Sequence, residues 1–497
     1  MAVDPRTPVV VGAGQVSQRV PADVAEPPIA LLARAARAAE TDAGAALLPR
    51  VDVVGVVQIV SWRYPDPGAY VARELGIAPR ATVTTTTGGN SPQLLVDELG
   101  ERIQRGELDV ALVGGAESMY TRWRARREPK VHLAWASGDD PPCPWVIGDD
   151  RPGASDYEMA HGAIAPTLVY PLFETALRHR AGHTVDEHQR HVSELWARFA
   201  AVAATNPDAW SRTAYSPDEI RTVTPDNRMV CFPYPKLMCS NIDVDQGAAL
   251  LLCSYEAARA AGVADDRMVF LHSCAQAHDH WFVSERAHLH ESPAIVHAGR
   301  DALAAAGITI DDVAYLDLYS CFPAAVQIAQ HALGVGDDRA LTVTGGLGFA
   351  GGPVNNYPTH AIARMVDVLR ADPDAIGLTT ALGWYVTKHA VGVWSARPPR
   401  DGFRRVPHAS TQALVDRRPR RQPAGLVDGE ATVEATSVAF ERDGTVSQAI
   451  VTALTADGRR AFATTRDTDV AAAFTKEAWE GRTVRLRDDR SANSIAL

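Results

Sequence analysis

Stretches with the pattern of β-strands alternate with stretches that have the pattern of α-helices, and this order of elements occurs twice along the chain. In the first half, the strand-like runs are residues 9–14, 53–60, 81–87 and 109–115, and the helical segments between them are 27–43, 68–75 and 90–103. In the second half, the strand-like runs are residues 268–274, 314–319, 342–346, 375–382 and 389–394, and the helical segments are 293–306, 323–333 and 358–369. Such alternation is typical of parallel or mixed sheets that helices cover on both faces. We therefore predict an α/β protein with two similar halves, residues 1–265 and 266–396.

The alternation is interrupted once and then ends. Between about residue 120 and residue 240 the pattern stops, which predicts a long insertion or loop domain within the first half. After residue 396 the chain becomes rich in Pro and Arg, as linkers are. Strand-like runs at 432–440, 446–453 and 461–465 then follow one another between Asp-Gly turns. These runs predict a small antiparallel β-domain, so that residues 397–497 form a linker plus an additional domain.

Charge and cysteine usage exclude several classes of protein. The net charge is −11 and the pI about 5.8, which argues against general nucleic-acid binding because that function needs a basic face. The six cysteines are irregularly spaced without a CxxC pair, which indicates reduced thiols and a cytoplasmic protein. There is no signal-peptide pattern at the N-terminus. No apolar run approaches roughly 18 residues, so we expect no membrane span.

A glycine-rich stretch in the second half is the first candidate for a site. Residues 342–353 read Thr-Val-Thr-Gly-Gly-Leu-Gly-Phe-Ala-Gly-Gly-Pro, and a helical segment follows Pro358. This predicts a strand, a tight loop and a helix, with glycines that let the backbone approach a ligand closely. Asn355, Asn356 and His360 would lie at the mouth of the turn. The alternative is a tight loop with capping asparagines and no ligand.

Two weaker patterns suggest other chemistry. Gly12-x-Gly14-x-x-Ser17 half-matches a dinucleotide-binding turn, but the third glycine and an acidic ribose partner are missing. A buried first strand is the better interpretation. The pairs His278/His280 and His288/His290 have the residue type of zinc ligands, but no cysteine pair or regular spacing accompanies them. We therefore interpret them as polar loop histidines and predict no metal.

Several motifs together resemble the thiolase superfamily over about residues 7–396. Residues 113–119, Val-Gly-Gly-Ala-Glu-Ser-Met, resemble its Gly-Gly-x-Glu-Ser-Met segment, and Asp245-Gln-Gly-Ala-Ala resembles its Asn-Asp-Gly-Ala-Ala run. Tyr319-Ser-Cys-Phe322 is similar to the His-Asp-Cys-Phe motif of sterol-carrier-protein-2-type thiolases, and the glycine-rich stretch is similar to the Gly-Gly…Gly-His-Pro loop. Residues 170–177 and the extra β-domain resemble the subgroup called thiolase-like protein type 1.

The resemblance implies a fold and an activity. The fold is the duplicated βαβαβ arrangement of thiolases, a layered α/β sandwich, with the small β-domain added. The activity is that of an acyltransferase, most like an acetyl-CoA acetyltransferase of lipid metabolism. It requires no cofactor, since coenzyme A thioesters are its substrates or ligands. Thiolases dimerise through the strand that here spans residues 81–87, and the added domain could block or replace that contact.

The side chains that the family uses for catalysis are missing here. A thiolase needs a thiolate at a helix N-terminus, a second acid–base group and donors for thioester oxyanions. The resemblance places the nucleophile at Gly89, and residues 86–91 contain no cysteine. The histidine of the Gly-His-Pro loop is replaced by Gly352, and the last motif ends in Gly383 without its cysteine. These three glycines could still bind an oxyanion through their N–H groups, so we expect no thiolysis or Claisen condensation by the usual route.

The site could also have been rebuilt from other residues. Cys321, His360, Lys388 and His389 lie at or near the ends of second-half elements, which face the cleft in this architecture. A Cys–His pair would be sufficient for acyl transfer. The alternatives are a packed core thiol for Cys321, a hydrogen-bonded helix histidine for His360, and a solvated strand edge for Lys388 and His389.

Arginines in the insertion are candidates for binding the phosphates of a nucleotide. Residues 122–130 read Arg-Trp-Arg-Ala-Arg-Arg-Glu-Pro-Lys, and from these Arg124 and Arg126 are predicted as ligand contacts, together with Asn356. The alternative is a solvated basic face. Two functions thus remain open: a degenerate or rebuilt acyltransferase, and a non-catalytic acyl-CoA or lipid-binding subunit that works with a partner protein.

Overall fold

The computed structural model describes residues 3–128 and 131–496 as one main sheet with helices on both faces and a second, barrel-like sheet. The strands are β1 (Pro8–Ser17), β2 (Val53–Val56), β3 (Ala81–Thr85), β4 (Val110–Ser118), β5 (Val146–Ile147), β6 (Met229–Phe232), β7 (Tyr234–Pro235), β8 (Asp245–Ser254), β9 (Val269–His278), β10 (Tyr315–Asp317), β11 (Ile376–Gly383), β12 (Lys388–Ser395), β13 (Arg404–Arg405), β14 (Gly429–Phe440), β15 (Val446–Leu454), β16 (Arg460–Thr465), β17 (Thr483–Asp488) and β18 (Asn493–Ala496).

The helices fall in the same alternating order. They are α1 (Pro28–Ala43), α2 (Pro67–Leu75), α3 (Ser91–Gln104), α4 (Met119–Ala125), α5 (Asp156–Ala160), α6 (Pro166–Ala181), α7 (Val185–Thr205), α8 (Pro217–Arg221), α9 (Tyr255–Ala260), α10 (Pro293–Ala306), α11 (Pro323–Leu333), α12 (Gly346–Phe349), α13 (Tyr357–Ala371), α14 (His408–Asp416) and α15 (Thr468–Lys476). Most of the longer helices have Pro in the first turn, where its missing N–H costs no hydrogen bond.

The two halves of the chain share the main sheet. Its strand order is β10-β11-β12-β9-β1-β8-β4-β2-β3-β5, with β13 attached to β9. The halves join where β1 and β9 pair antiparallel, with Val9 opposite Phe270. This confirms the predicted duplicated α/β arrangement.

Two helices, α3 and α13, form the layer between the halves. The stripe Leu95, Leu99 and Ile103 of α3 is completely buried, as its four-residue spacing predicts. It shares an apolar cluster with Ile362 and Met365 of α13 and with strands of both halves. The N-termini of α3 and α13 therefore lie at the centre of the molecule, beside the glycine-rich turns.

The glycines of β1 serve helix packing. A Cβ on Gly12 would lie 2.0 Å from the carbonyl oxygen of Ala39 in α1, and one on Gly14 would lie 2.1 Å from that of Ala35. Both residues are inside a ten-residue strand that pairs antiparallel with β8, not in a strand-to-helix turn. This geometry supports the buried-strand interpretation over a dinucleotide site.

The predicted strand at residues 342–346 is wrong. Residues 342–345 instead form an irregular turn around the carboxylate of Asp317. A buried carboxylate requires several hydrogen-bond donors, and this turn supplies them. The Oδ2 of Asp317 accepts from the hydroxyls of Thr342 and Thr344 and from the N–H groups of Val343 and Thr344. The tight loop and the helix after it are as predicted, since α13 begins at Tyr357.

Strand β5 covers the edge of the main sheet. It consists of two residues of the insertion that pair parallel with β3, Val146 with Thr84 and Ile147 with Thr85. The family resemblance implies dimerisation through the strand at residues 81–87, which is β3. Here a segment of the same chain, not the C-terminal domain, lies along that edge.

The C-terminal strands close into a barrel. The ring runs β14-β15-β16-β18-β17 and back to β14, with α15 between β16 and β17, which is the arrangement of a five-stranded Greek-key barrel of OB type. One pair, β16 with β18, is parallel, whereas the sequence predicted antiparallel pairing. β6 and β7 of the insertion extend this sheet, because Phe232 pairs with Val438.

A buried arginine of the barrel links it to the rest of the chain. Arg460 is fully buried and forms two hydrogen bonds of 2.6 Å to the carboxylate of Glu434. It also donates to the carbonyls of Val283 and Arg286 in the second half. Residues 404–416, which the sequence predicts as linker, contain β13 and α14, and both pack on β9. The barrel is thus continuous with the main body.

Candidate functional site

Turns from the two halves meet at the N-terminus of α3. The first is residues 87–90, before α3, and the second is residues 383–388, between β11 and β12. The side-chain oxygen of Asn355 accepts from the N–H of Gly88 at 2.9 Å, and its amide donates to the carbonyl of Gln58 at 3.0 Å. The glycine-rich stretch of the second half therefore holds the first-half turn in place.

Tyr319 fills the space beside Gly89. A Cβ built on Gly89 would lie 2.2 Å from the hydroxyl oxygen of Tyr319 and 2.4 Å from the carbonyl oxygen of Leu382. Non-bonded carbon and oxygen atoms do not approach so closely in relaxed structures. The position that the resemblance assigns to a nucleophilic cysteine is consequently occupied by the phenol of a different element.

Lys388 fills the space beside Gly88 and Gly383. A Cβ on Gly88 would lie 2.8 Å from the Nζ of Lys388, and one on Gly383 would lie 2.8 Å from its Cε. The Nζ donates to the carbonyls of Thr87 at 2.6 Å and Asp149 at 3.2 Å. Burial lowers the pKa of Lys388 to about 8. The sequence alternative of a solvated strand edge is wrong for this residue, which is 5% exposed.

Backbone strain is concentrated around the same turns. Val354, Trp384 and Val386 have φ angles of 46°, 61° and 53°. Left-handed backbone is unusual for a β-branched residue and costs of order 1–3 kcal/mol at each position. Such outliers cluster at ligand-binding and catalytic sites in proteins.

A cavity of about 1040 Å³ opens beside the strained residues. Val354 and Trp384 line one side, and residues that follow β2 line the other. The wall is completed by aromatic and cationic side chains, Trp62, Tyr64, Arg63 and Arg122. Within the described residues neither Arg63 nor Arg122 forms an ion pair with a carboxylate. The threonines at 84–87 and the carboxylate of Asp150 also line the cavity. Its aromatic surface and its two arginines outside ion pairs suit an elongated ligand with an anionic end.

Glu117 shapes the wall of this cavity from below. Its two carboxylate oxygens accept from the N–H groups of Val60 at 2.8 Å and Ser61 at 2.7 Å, both of which line the cavity. Burial raises the pKa of Glu117 to about 7. The Gly-Gly-Ala-Glu-Ser-Met motif therefore contributes a carboxylate that positions the loop after β2.

Cys321 is a buried core thiol. It lies in the apolar cluster of the second half beside Tyr170, and burial raises its pKa to about 12. Since the thiolate is the nucleophile, a thiol with this pKa is unreactive at neutral pH. The structure favours the packed-thiol alternative over the predicted catalytic role.

His360 lies on α13 and faces the first half. Its Nδ1 is 2.7 Å from the side-chain oxygen of Gln15 in β1, and the ring is buried. Burial lowers the pKa of His360 to about 3, so the imidazole is neutral at pH 7. The recorded partner of His360 is Gln15 and that of Cys321 is Tyr170, so the structure shows no hydrogen bond between these two candidates.

His389 lies in a buried polar cluster behind β12. Its Nε2 is 3.4 Å from both Asp279 and the hydroxyl of Ser292, which donates to Asp279. Burial raises the pKa of Asp279, but the contacts with His389 and Ser292 and the charge of Arg286 together lower it below its usual value. The cluster connects β12 to the start of α10, which makes a structural role the simpler interpretation.

The predicted binding residues differ in what they can do. The N–H of Gly352 already donates to the carbonyl of Asn241 at 2.9 Å, so it is not available for an oxyanion. Gly383 allows the close approach of Lys388 described above. Asn356 donates to the carbonyl of Gly115 at 2.6 Å and accepts from the hydroxyl of Thr359, which makes it a link between the halves.

Of the basic loop, only Arg122 reaches the large cavity among the residues described. Arg124 forms an ion pair with Glu128 at 2.9 Å, and Arg126 is exposed to solvent away from the cavity. Pro129 and Lys130 of this loop lie outside the described residues. The sequence interpretation missed Trp62 and Arg63, whose position directly after the apolar strand at 53–60 was the available signal.

The histidine pairs do not form a metal site in the part of the chain that the structure describes. Residues 3–128 and 131–496 contain no group of three or more metal-ligating side chains. His278 and His280 instead hydrogen-bond the carbonyls of Asp279 and Arg418. Within the same residues, no helix is both long and apolar enough to cross a bilayer.

The two-half sheet, the central helices and the cleft at the start of α3 define a thiolase-type protein. Comparison with solved structures identifies the subgroup. The chain matches the monomeric SCP2-thiolase-like protein type 1 of Mycobacterium smegmatis at 34% identity and a TM-score of 0.85, with 100% of both chains covered. Residues 410–491 match the model of the thiolase-like protein type 1 additional C-terminal domain. The chain belongs to the SCP2-thiolase-like protein type 1 family.

More distant matches share the fold. The Ltp2–ChsH2(DUF35) aldolase matches at 18% identity and a TM-score of 0.60, over 80% of this chain and 100% of that one. The dimeric peroxisomal thiolase of Saccharomyces cerevisiae matches at 13% identity and 0.55, over 79% and 98%. A search of curated proteins gives no match.

Proposed function

We propose that this protein binds an acyl-CoA thioester in the large cavity and does not perform thiolysis or Claisen condensation. The observation that carries the proposal is the contact at Gly89. The resemblance places the family's nucleophile at this glycine, which has no side chain, and the hydroxyl of Tyr319 lies 2.2 Å from where a Cβ would be. A thioester carbonyl at this position would therefore meet the phenol of Tyr319 rather than a thiolate.

The large cavity supports the binding part of the proposal. Its volume of about 1040 Å³ is at the upper end for ligand sites and suits a long, flexible molecule. Arg63 and Arg122 supply charge for phosphates, and Trp62 and Trp384 supply flat apolar surface. This assigns phosphate binding to Arg122, in place of Arg124 and Arg126.

The binding test compares two arginines of the same loop. Acetyl-CoA and longer acyl-CoAs are titrated calorimetrically against wild type, Arg122→Ala and Arg126→Ala. Loss of a charge-assisted hydrogen bond costs about 1.5–3 kcal/mol, so Arg122→Ala should weaken binding at least tenfold. Arg126→Ala is the matched control and should bind as wild type does. Equal affinity of all three proteins would refute the assigned site.

The reaction is tested on the same complexes by native and denaturing mass spectrometry. We expect the whole acyl-CoA to be held in the native spectrum and lost on denaturation. An acyl group that survives denaturation would instead show a rebuilt nucleophile and support the acyltransferase alternative.

A non-catalytic acyl-CoA-binding subunit would work together with a partner protein. The name of the Ltp2–ChsH2(DUF35) aldolase pairs a thiolase-fold chain with a DUF35 protein. By analogy, an acyl-CoA-binding chain without the usual nucleophile could present its ligand to another protein. We place this function in the cytoplasm, since the six cysteines are free thiols. Co-purification from cells with and without Arg122→Ala tests whether a partner depends on the bound ligand.

A further inference from the structure

Lysine is rare in this chain, and one lysine is buried. The sequence has four lysines and 45 arginines. Lys236 and Lys476 are exposed, Lys130 lies outside the described residues, and Lys388 is 5% exposed. Because almost every other cationic residue is an arginine, the buried lysine suggests that this position requires an amine and not a guanidinium. The chemical difference is that an amine can lose its proton and an arginine in a protein does not.

The hydrogen bonds of Lys388 fit a neutral amine. Its Nζ has two acceptors, the carbonyls of Thr87 and Asp149. Within the described residues no carboxylate lies within ion-pair distance of it. A neutral amine has two N–H bonds and one lone pair, so two carbonyls satisfy both N–H groups and leave the lone pair free.

A second cavity, of about 330 Å³, lies beside Lys388. It shares no lining residue with the large cavity, and Asn90, Trp281 and His278 are among the side chains around it. Asn90 is 4% exposed, and its Oδ1 is a buried acceptor without a hydrogen-bond partner in the described structure. Both Asn90 Oδ1 and Lys388 approach the same two glycines, Gly88 and Gly383, closely. An unused acceptor beside an available amine indicates that a ligand with a hydroxyl or N–H group completes the site.

We propose that Lys388 is an amine nucleophile that forms an imine with a small aldehyde or ketone in this second cavity. The lone pair of Nζ attacks the carbonyl carbon and gives a carbinolamine, whose hydroxyl donates to Asn90 Oδ1. The carbon–oxygen bond then breaks, the oxygen leaves as water with the two hydrogens of the amine, and a carbon–nitrogen double bond remains. The imine withdraws electrons from the neighbouring carbon, which is how lysine enzymes activate carbonyl compounds.

Electrostatics agree with this geometry. With its pKa lowered to about 8 by burial, about a tenth of Lys388 is neutral at pH 7, against fewer than one in a thousand molecules for an ordinary lysine. The charged and titratable groups around this residue and its cavity are Asp149, Asp150, Arg151, His278, His389, Arg405 and His408. Arg151 and Arg405 are paired with carboxylates, which limits the net charge around the amine.

Reductive trapping tests the inference on the unmodified protein. The full chain is incubated with pyruvate or with butanone, reduced with borohydride and digested for peptide mapping. We expect a stable adduct on Lys388 that forms about 100-fold faster than on Lys236 or Lys476 at pH 7, and a yield that rises with pH to a midpoint near 8. Adducts confined to Lys236 and Lys476, or absent with both probes, overturn the proposal.

Two variants separate chemistry from structure. Lys388→Arg retains a cation and hydrogen-bond donors but cannot form an imine, so trapping at this site should be lost while the melting temperature is monitored. Lys236→Arg is the matched control and should leave trapping at Lys388 unchanged. If Lys388→Arg fails to fold, the peptide map of the wild-type protein still decides the question. Acyl-CoA binding in the large cavity is measured separately, so failure of either proposal is distinguishable from failure of the other.

Discussion

The hydroxyl of Tyr319 and the α-carbon of Gly89 are packed so closely that glycine is the only residue the space admits. The consequence is that the cysteine which the resemblance predicts at this position cannot be introduced by one substitution. In Gly89→Cys the new Cβ would have to displace the phenol of Tyr319 or the carbonyl of Leu382.

We predict that Gly89→Cys lowers the free energy of unfolding by about 1–3 kcal/mol through overpacking and has no thiolase activity. Urea denaturation and a thiolysis assay with acetoacetyl-CoA check both parts. Gly429→Ala is a suitable control, because a Cβ there has open space within 4 Å and should change stability by less than about 0.5 kcal/mol. Thiolysis by the single variant would contradict the steric argument.

Cys321 should resist alkylation in the folded protein. With a pKa raised to about 12, about one molecule in ten thousand carries a thiolate at pH 8. Iodoacetamide labelling followed by peptide mapping should show Cys321 unmodified under native conditions and fully modified in guanidinium. Rapid labelling of the native protein would instead support Cys321 as a nucleophile.

His360 should make stability depend on pH. Its pKa is lowered to about 3 in the folded chain, below the value of about 6.5 expected in the unfolded chain, so the unfolded state binds the proton more readily. The contribution is fully present above pH 6.5 and is lost progressively as the pH falls toward 3. Between pH 7 and pH 5 the loss is about 2 kcal/mol. Urea denaturation measures the free energy of unfolding of wild type and His360→Gln at pH 7 and pH 5. The decrease between the two pH values should be about 2 kcal/mol smaller in the variant. Equal decreases in the two proteins would exclude His360 as the source of the pH dependence.

Arg460 should be essential for barrel attachment. Arg460→Met removes the buried donor to the partly exposed carboxylate of Glu434 and to the carbonyls of Val283 and Arg286, which should cost about 1.5–3 kcal/mol. The double variant Arg460→Met/Glu434→Gln should regain part of this loss, as seen in denaturant midpoints. The exposed pair of Arg485 and Asp428 provides the comparison, since Arg485→Met should change stability by less than about 1 kcal/mol. Equal effects at the two sites would show that the Arg460 pair is not a buried one in solution.

Regular elements with strong periodicity were predictable from the sequence. The stripe of α3 and the closing strands β11 and β12 lie where apolar spacing and β-branched runs place them. The run at 342–346 is the exception. Its threonines satisfy the charge of Asp317, which is 25 residues earlier in the chain, and side-chain hydrogen bonds of this kind override strand propensity.

The candidate site was predictable only in outline. The resemblance predicts a nucleophile position without cysteine at Gly89, but the packing of the Tyr319 phenol against it depends on contact between residues 230 positions apart. Likewise, nothing in the local sequence distinguishes the buried Lys388 from a solvated strand end. Only the packing of the two halves decides which polar side chains face a cavity.

The pairing of β6 with β14 sets an order in which the chain must be completed during synthesis. β6 emerges from the ribosome about 200 residues before β14, an interval of about 10–40 s at ordinary rates of translation. Throughout that time the edge of β6 has no strand to pair with. The guanidinium of Arg178 likewise lacks its carboxylate partner, Glu480. Folding of the insertion is therefore completed only after β14 and Glu480 have been synthesised.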